Sequence, residues 1–330
     1  MGRGAIRAAR LSARRIAKHG DFADVALPPL PPIPGQVSQS ERRLLYWLAA
    51  ATYTGQGAIV ELGSWLGLSS AHLAAGLRDS GFAGELHCFD RFTWDQKKPV
   101  DVGRVLRLGD DTTDVFLAHV KPVFDRVVAH RTEIESMRWD GGPVEILFLD
   151  APKGRKPFVH VLALFQAHLD PASSYVASQD FGLPTAFAQA LCVGRLLDVF
   201  ELRHTAGYTA GFTLARPLPA EAELRARLDP KRFTVDEDLR TWDAMLERID
   251  DAAFRERLRP GICLHLVRRG ETRQALARLR TMRFDDSALA LWRKFAAEPD
   301  KAEKYDALFR ELGVASKPAG GWLRRLFARP

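Results

Sequence analysis

Between Ala58 and Ser178, short apolar runs alternate with helix-patterned stretches. The runs are Ala58–Leu62, Glu85–Phe89, Arg126–Ala129, Glu145–Leu149 and Tyr175–Ser178. Helical patterns follow at Ser69–Ser80, Thr113–Val123, Pro157–Leu169 and Ala186–Leu197. Such alternation predicts a parallel sheet with crossover helices. Val199–Arg203 and Phe212–Ala215 flank a glycine-containing turn and predict an antiparallel terminal hairpin. Four of the five runs carry an acid at or just past their ends: Glu61, Asp90, Asp150 and Asp180. In an open α/β sheet, ligands bind beyond the carboxyl ends of the strands. The four acids should therefore open onto one crevice.

The segments around this core set the expected organisation. Residues 1–37 read as a basic tail that could form an amphipathic helix, followed by a proline-rich linker, Leu27–Gly35. The α/β domain spans 38–217, entered through a helix over Glu41–Thr54 with Ser38 or Ser40 as its cap. Residues 218–330 form a charged, mostly helical extension in which Leu266–Leu279 looks like one helical-repeat unit, too little for an array.

The net charge of +7 invites a nucleic-acid reading until it is located. Residues 1–20 hold six Arg and Lys without an acid, and residues 317–330 hold four more. Without those ten, 38 basic residues face 41 acidic ones, a net charge of −3. The body is not a basic nucleic-acid binder. The tails are candidates for contact with an anionic membrane surface or a protein partner. Solvated tails, or a transit peptide at the N-terminus, are the alternatives. Cys88, Cys192 and Cys263 form neither a disulfide framework nor a zinc pattern, and no apolar stretch reaches the roughly 18 residues of a membrane span. A cytoplasmic protein, in places peripheral to the membrane, is expected.

The chemistry concentrates at Glu61-Leu-Gly63-Ser64-Trp65-Leu-Gly67-Leu-Ser69-Ser70, where a strand turns into a helix. Glycines there let the backbone approach a ligand, and a helix start presents free N–H groups. The spacing Gly63-x-x-x-Gly67 is not the dinucleotide G-x-G-x-x-G. An acid at Glu61 would repel a pyrophosphate but suits the ammonium of an amino-acid-like cofactor. Asp90 ends the next run, 23 residues past Gly67, where a carboxylate can accept both ribose hydroxyls. Asp150 and Asp180 could share a divalent cation, since hard cations take carboxylate oxygens. Trp65 is expected to pack on the cofactor loop, and His72 to be structural.

These motifs resemble class I S-adenosylmethionine-dependent methyltransferases, and within them the cation-dependent O-methyltransferases of the catechol and the sugar- and macrolide-modifying types. The likeness covers roughly residues 38–217. It implies a Rossmann-like methyltransferase fold with a central, mostly parallel sheet. It implies cofactor contacts from Glu61, Gly63, Ser64, Trp65, Gly67, Ser69, Ser70, Asp90, Thr132, Glu133 and Asp150. It also implies Mg2+ or another divalent cation on Asp150 and Asp180. Lys153 stands three residues after Asp150, the place of the catechol type's general base. The chain departs from the pattern at Pro152, where the sugar-modifying type has an acid, and at Gln179 and Phe181 beside Asp180.

The expected reaction is methyl transfer to an oxygen of a sugar, glycan or small natural product, with Asp150 and Lys153 at the reacting centre. Lys153 acts as base if burial or a metal lowers its pKa; otherwise it is a solvated lysine of the run Lys153–Lys156. Arg155 and Lys156 are candidates to hold an anionic acceptor. The competing readings are a non-catalytic module that keeps the cofactor pocket, and a dinucleotide oxidoreductase, which the glycine spacing disfavours.

Overall fold

The computed structural model describes residues 21–284 and 286–314. The expected helix over 1–20 and the contacts assigned to both basic tails lie outside the described residues. Nine strands form in chain order: β1 (Ala58–Leu62), β2 (Leu86–Asp90), β3 (Val100–Asp101), β4 (Val105–Leu106), β5 (Val127–Arg131), β6 (Val144–Leu149), β7 (Tyr175–Ser178), β8 (Phe200–Ala206) and β9 (Thr209–Leu214). Seven build one sheet in the order β5-β2-β1-β6-β7-β9-β8. The first five are parallel, and β9 runs antiparallel between β7 and β8. This is the Rossmann-like methyltransferase arrangement expected from the sequence, with the terminal hairpin folded into the sheet edge.

Strand periodicity divides the sheet's apolar residues between two faces. Val60, Leu62, Leu147 and Leu149 join one buried cluster, and Ile59, Ile146 and Phe148 join the other. All six residues of β6 are buried, as for a central parallel strand covered on both faces. Helices α1 (Gln39–Trp47), α2 (Leu68–Ser80), α3 (Thr113–Val120), α4 (Arg155–Phe165) and α5 (Phe187–Gly194) supply the cover.

The start of α1 follows from its cap. Ser38 Oγ accepts from the Glu41 amide, while the Glu41 carboxylate accepts from the Ser38 amide at 2.8 Å. Glu41 is itself buried, because it also accepts from Thr209 Oγ1 at 2.9 Å and the Tyr208 amide at 3.2 Å. One carboxylate thus fixes both the helix start and the β8–β9 turn. The proline-rich stretch before α1 packs rather than dangling. Val25 and Ile33 are buried, and a side chain at Gly35 would collide with Leu68. Proline forbids a helix there but not burial.

Past β9 the chain continues through α6 (Glu221–Arg227), α7 (Val235–Glu247), α8 (Ala252–Leu258), α9 (Gly261–Arg268), α10 (Thr272–Leu279) and α11 (Asp286–Ala296). The repeat-like segment corresponds to the pair α9–α10, with Gly270 between them in a left-handed conformation. Trp242, Phe254 and Trp292 share one apolar cluster with Val60 and Leu149 of the sheet. No helix among the described residues is long and apolar enough to cross a membrane.

A buried charge cluster staples these helices to the sheet layer. Asp238 of α7 is fully buried and receives hydrogen bonds from Arg195, just past α5, and from Arg269 Nη1 at 3.2 Å. It also meets His265 Nε2 of α9 at 2.7 Å, and the Arg195 guanidinium lies 3.6 Å from the centre of the Phe233 ring. Removing the one anion would strand buried cations. Asp238→Ala is therefore expected to cost about 3–5 kcal/mol of unfolding free energy, read from urea melts. A loss below about 1 kcal/mol would show that the cluster does not hold the helices.

Candidate functional site

The carboxyl ends of β1, β2, β6 and β7 open onto one cavity of about 780 Å3, within the usual range for small-molecule sites. Its first wall is the turn from β1 into α2. Gly63 and Gly67 hold φ of +93° and +98°. A Cβ at Gly63 would lie 2.7 Å from the Ala151 amide nitrogen, so only glycine lets the turn lie against the loop after β6. Between the glycines, Trp65 takes φ of 45°, a conformation costing about 1–3 kcal/mol in a residue with a side chain. Its ring stacks on Trp94 at 5.4 Å between centroids, which holds it there.

Asp90 joins this turn to the next loop. Its carboxylate accepts from the Trp65 amide at 3.0 Å and from the Phe92 amide at 2.7 Å. The Thr132 amide donates to the Asp90 carbonyl at 2.9 Å, bringing Thr132 and Glu133 to the same wall beside Ile134 and Met137. Asp90, Ser64, Trp65, Ser69, Thr132, Glu133 and Asp150 all line the cavity.

Gly67, Ser70 and Glu61 are not on its walls. Glu61 is fully buried between β1, β2 and α2, where Ser70 Oγ donates to Oε2 and Cys88 Sγ lies 3.5 Å from the same oxygen. Oε1 has no partner. Burial pushes its pKa up to about 7, although nearby serine hydroxyls pull the other way. In this geometry Glu61 braces the glycine turn from behind. His72, also buried, bonds the Leu68 carbonyl and is structural.

At the other end of the cavity, Lys153 Nζ donates to Asp150 Oδ1 at 2.7 Å, to Gln179 Oε1 at 3.2 Å and to Asp180. Burial alone would push the amine down, but the two carboxylates more than offset this and hold its pKa above the usual lysine range. The Asp150 carboxyl is itself raised, chiefly by burial, with Lys153 opposing. Asp180 sits at φ of 62°. Two carboxylates and an amide oxygen already filled by an ammonium do not fit a divalent cation. Among the described residues no group of three His, Cys, Asp or Glu side chains could hold one. The expected metal pair Asp150–Asp180 is thus an ion pair shared with Lys153.

Arg155 and Lys156 do not line the cavity, and Arg155 turns away to the Leu228 carbonyl at 3.3 Å. The walls carry six carboxylates, at Asp90, Asp95, Glu133, Glu135, Asp150 and Asp180, against three cations, Arg91, Lys153 and Lys294. Such a cleft favours a cationic ligand over a pyrophosphate. Among the contributors that the sequence does not mark are Gln36 before α1, Tyr208 at the β8–β9 turn, and Leu291, Lys294 and Phe295 on α11. No local pattern marks them, because each arrives through long-range packing.

Residues 60–178 match a family model described as a methyltransferase domain. The segment is of the methyltransferase type. No curated relative matches the chain. The O-methyltransferase NovP is similar at 12% identity over 65% of this chain and 100% of its own, with a TM-score of 0.45. A methyltransferase from Geobacter sulfurreducens is 16% identical over 63% of this chain and 88% of its own, with a TM-score of 0.38. The O-methyltransferase TomG from Streptomyces achromogenes, solved with S-adenosylmethionine, is 19% identical over 64% and 90%, with a TM-score of 0.37.

The position of Glu61 has a measurable consequence. A carboxyl whose folded pKa lies above its unfolded value of 4.5 costs stability as pH rises from about 4.5 to about 7, and no more above that. Glu61→Gln lacks this cost. The stability of wild type relative to the variant should fall by about 3 kcal/mol over that window. Parallel profiles up to about pH 8 would mean that Glu61 is ionised in the fold.

Proposed function

We propose that the protein transfers a methyl group from S-adenosylmethionine to an oxygen of a sugar, glycan or small natural product. The observation that carries this reading is the Asp90 carboxylate, fixed by the Trp65 and Phe92 amides at the cavity wall. Its two amide bonds leave lone pairs for a pair of vicinal hydroxyls, as on ribose. Gly63, Ser64 and Trp65 form the wall for the amino-acid end, and Thr132, Glu133, Ile134 and Met137 the wall for a flat base. Bound there, S-adenosylmethionine supplies a methyl group already activated by the sulfonium charge.

The protein's remaining task is to place the acceptor oxygen and take its proton. Lys153, held as an ammonium, is a donor in this arrangement. The proton acceptor is then a carboxylate of the pair Asp150 and Asp180, while the ammonium steadies the oxygen as negative charge develops. The absence of Arg155 and Lys156 from the walls favours a neutral acceptor over an anionic one.

Ligand-induced stabilisation tests the cofactor assignment. S-adenosylhomocysteine at about 100 times its Kd should stabilise the fold by about 2.7 kcal/mol, and NAD should not. Asp90→Ala should abolish the shift. No shift at saturating S-adenosylhomocysteine would overturn the reading. Transfer of labelled methyl from S-adenosylmethionine to a glycan or small-molecule fraction tests the acceptor class, and label found only on protein would contradict it.

A further inference from the structure

We propose that Lys153 is the resident cation of this cleft, occupying the place that a divalent ion takes in the cation-dependent O-methyltransferases, so that the site works without a metal. The inference rests on the methyltransferase reading above, but its geometry stands apart from it. Three oxygens converge on one nitrogen: Asp150 Oδ1, Gln179 Oε1 and Asp180 Oδ2. They come from the ends of two adjacent parallel strands, β6 and β7.

The backbone is built to deliver the amine there. The Lys153 amide donates to the Ala151 carbonyl at 2.7 Å, closing a tight turn directly after Asp150. Gln189 Nε2 donates to the Pro152 carbonyl at 2.5 Å, a buried bond that ties the turn to α5. Gly154 follows at φ of +101°, which releases the chain into α4. On the facing side, Asp180 is held in a left-handed conformation, and the Leu183 amide donates to its carbonyl at 2.8 Å. A non-glycine residue in that conformation persists only where its surroundings over-determine it.

Charge balance separates an ammonium from a divalent ion in this position. A divalent cation would neutralise two carboxylates and bind the acceptor oxygen itself. A single ammonium leaves the trio with one net negative charge, so a carboxylate remains free to take a proton. An ammonium also needs only three acceptors, whereas Mg2+ demands an octahedron of oxygens. The chain's departures from the cation-dependent pattern, Pro152 and Gln179, point the same way: each leaves this position one carboxylate poorer for a divalent ion, while a single ammonium is still satisfied by the three oxygens present.

The test is Mn2+ binding followed by electron paramagnetic resonance, which needs neither acceptor nor cofactor. Wild type should leave the signal of free Mn2+ unchanged at millimolar metal. Lys153→Ala, which frees Asp150, Gln179 and Asp180, should capture Mn2+ at least about tenfold more tightly. Lys153→Met, which keeps the apolar stem, should do the same and serves if the alanine variant fails to fold. Mn2+ held by wild type as tightly as by the variants would overturn the proposal. Failure of both folded variants to capture it would too, because the oxygens would then not be arranged around a cation. S-adenosylhomocysteine binding by wild type is read separately, so failure of the cofactor assignment is told apart from failure of this one.

Discussion

The wall of the cleft formed by the turns after β1 and β2 depends on one carboxylate held by two backbone amides. Asp90 ends β2, yet it accepts from Trp65, on the turn after β1, and from Phe92, on its own loop. Parallel pairing of β1 with β2 puts the two loops side by side, and the carboxylate locks their relative position. Both donors sit at left-handed or turn positions that the chain would not adopt alone: Trp65 has φ of 45° and Phe92 of 47°. Charge-assisted bonds of this kind are stronger than neutral ones, which offsets the local strain. The Trp65–Trp94 stack and the Gly63 approach to Ala151 are then consequences of a turn already fixed.

The four strand-end acids have been given four different environments. Glu61 is sealed behind the turn, and Asp90 is pinned by amides at the wall. Asp150 and Asp180 share one ammonium. The sheet places all four at one end, but the direction of each side chain and its neighbours decide what it can do. The cleft thereby has one end walled by the glycine turn and Asp90 and another walled by Asp150, Lys153 and Asp180, with the C-terminal helices supplying Leu291, Lys294 and Phe295 as a further wall.

Much of this was legible in the sequence. The apolar runs of β1, β6 and β7 are nearly the observed strands, and Ser38, one of the two caps the sequence offers, is the N-cap of α1, which begins at Gln39 rather than Glu41. The acid that ends β2 and those just past β6 and β7 reach the cavity as expected. Glu61 does not open onto the crevice with the other three acids, and its strand parity explains why: it alternates with Val60 and Leu62 and shares the parity of Ile59, on the face that packs against α2. The hairpin β3–β4 could not be read, because two-residue strands carry no period; it stands on a small apolar cluster of Leu66, Trp94, Leu106 and Val115. The Lys153 clamp was half legible. The three-residue spacing from Asp150 is local, but the meeting with Asp180 needs the β6–β7 register. The contribution of α11 could not be foreseen, since more than 80 residues separate it from Tyr208, the nearest other wall residue in the chain, and no motif marks it.

The most direct measurement is a crystal structure with S-adenosylhomocysteine soaked into the protein. The account predicts the ribose hydroxyls on the Asp90 carboxylate, the amino-acid end against Gly63–Trp65, and the sulfur directed toward the Asp150–Lys153–Asp180 end. A ligand bound elsewhere, or one in this cavity without contact to Asp90, would contradict it.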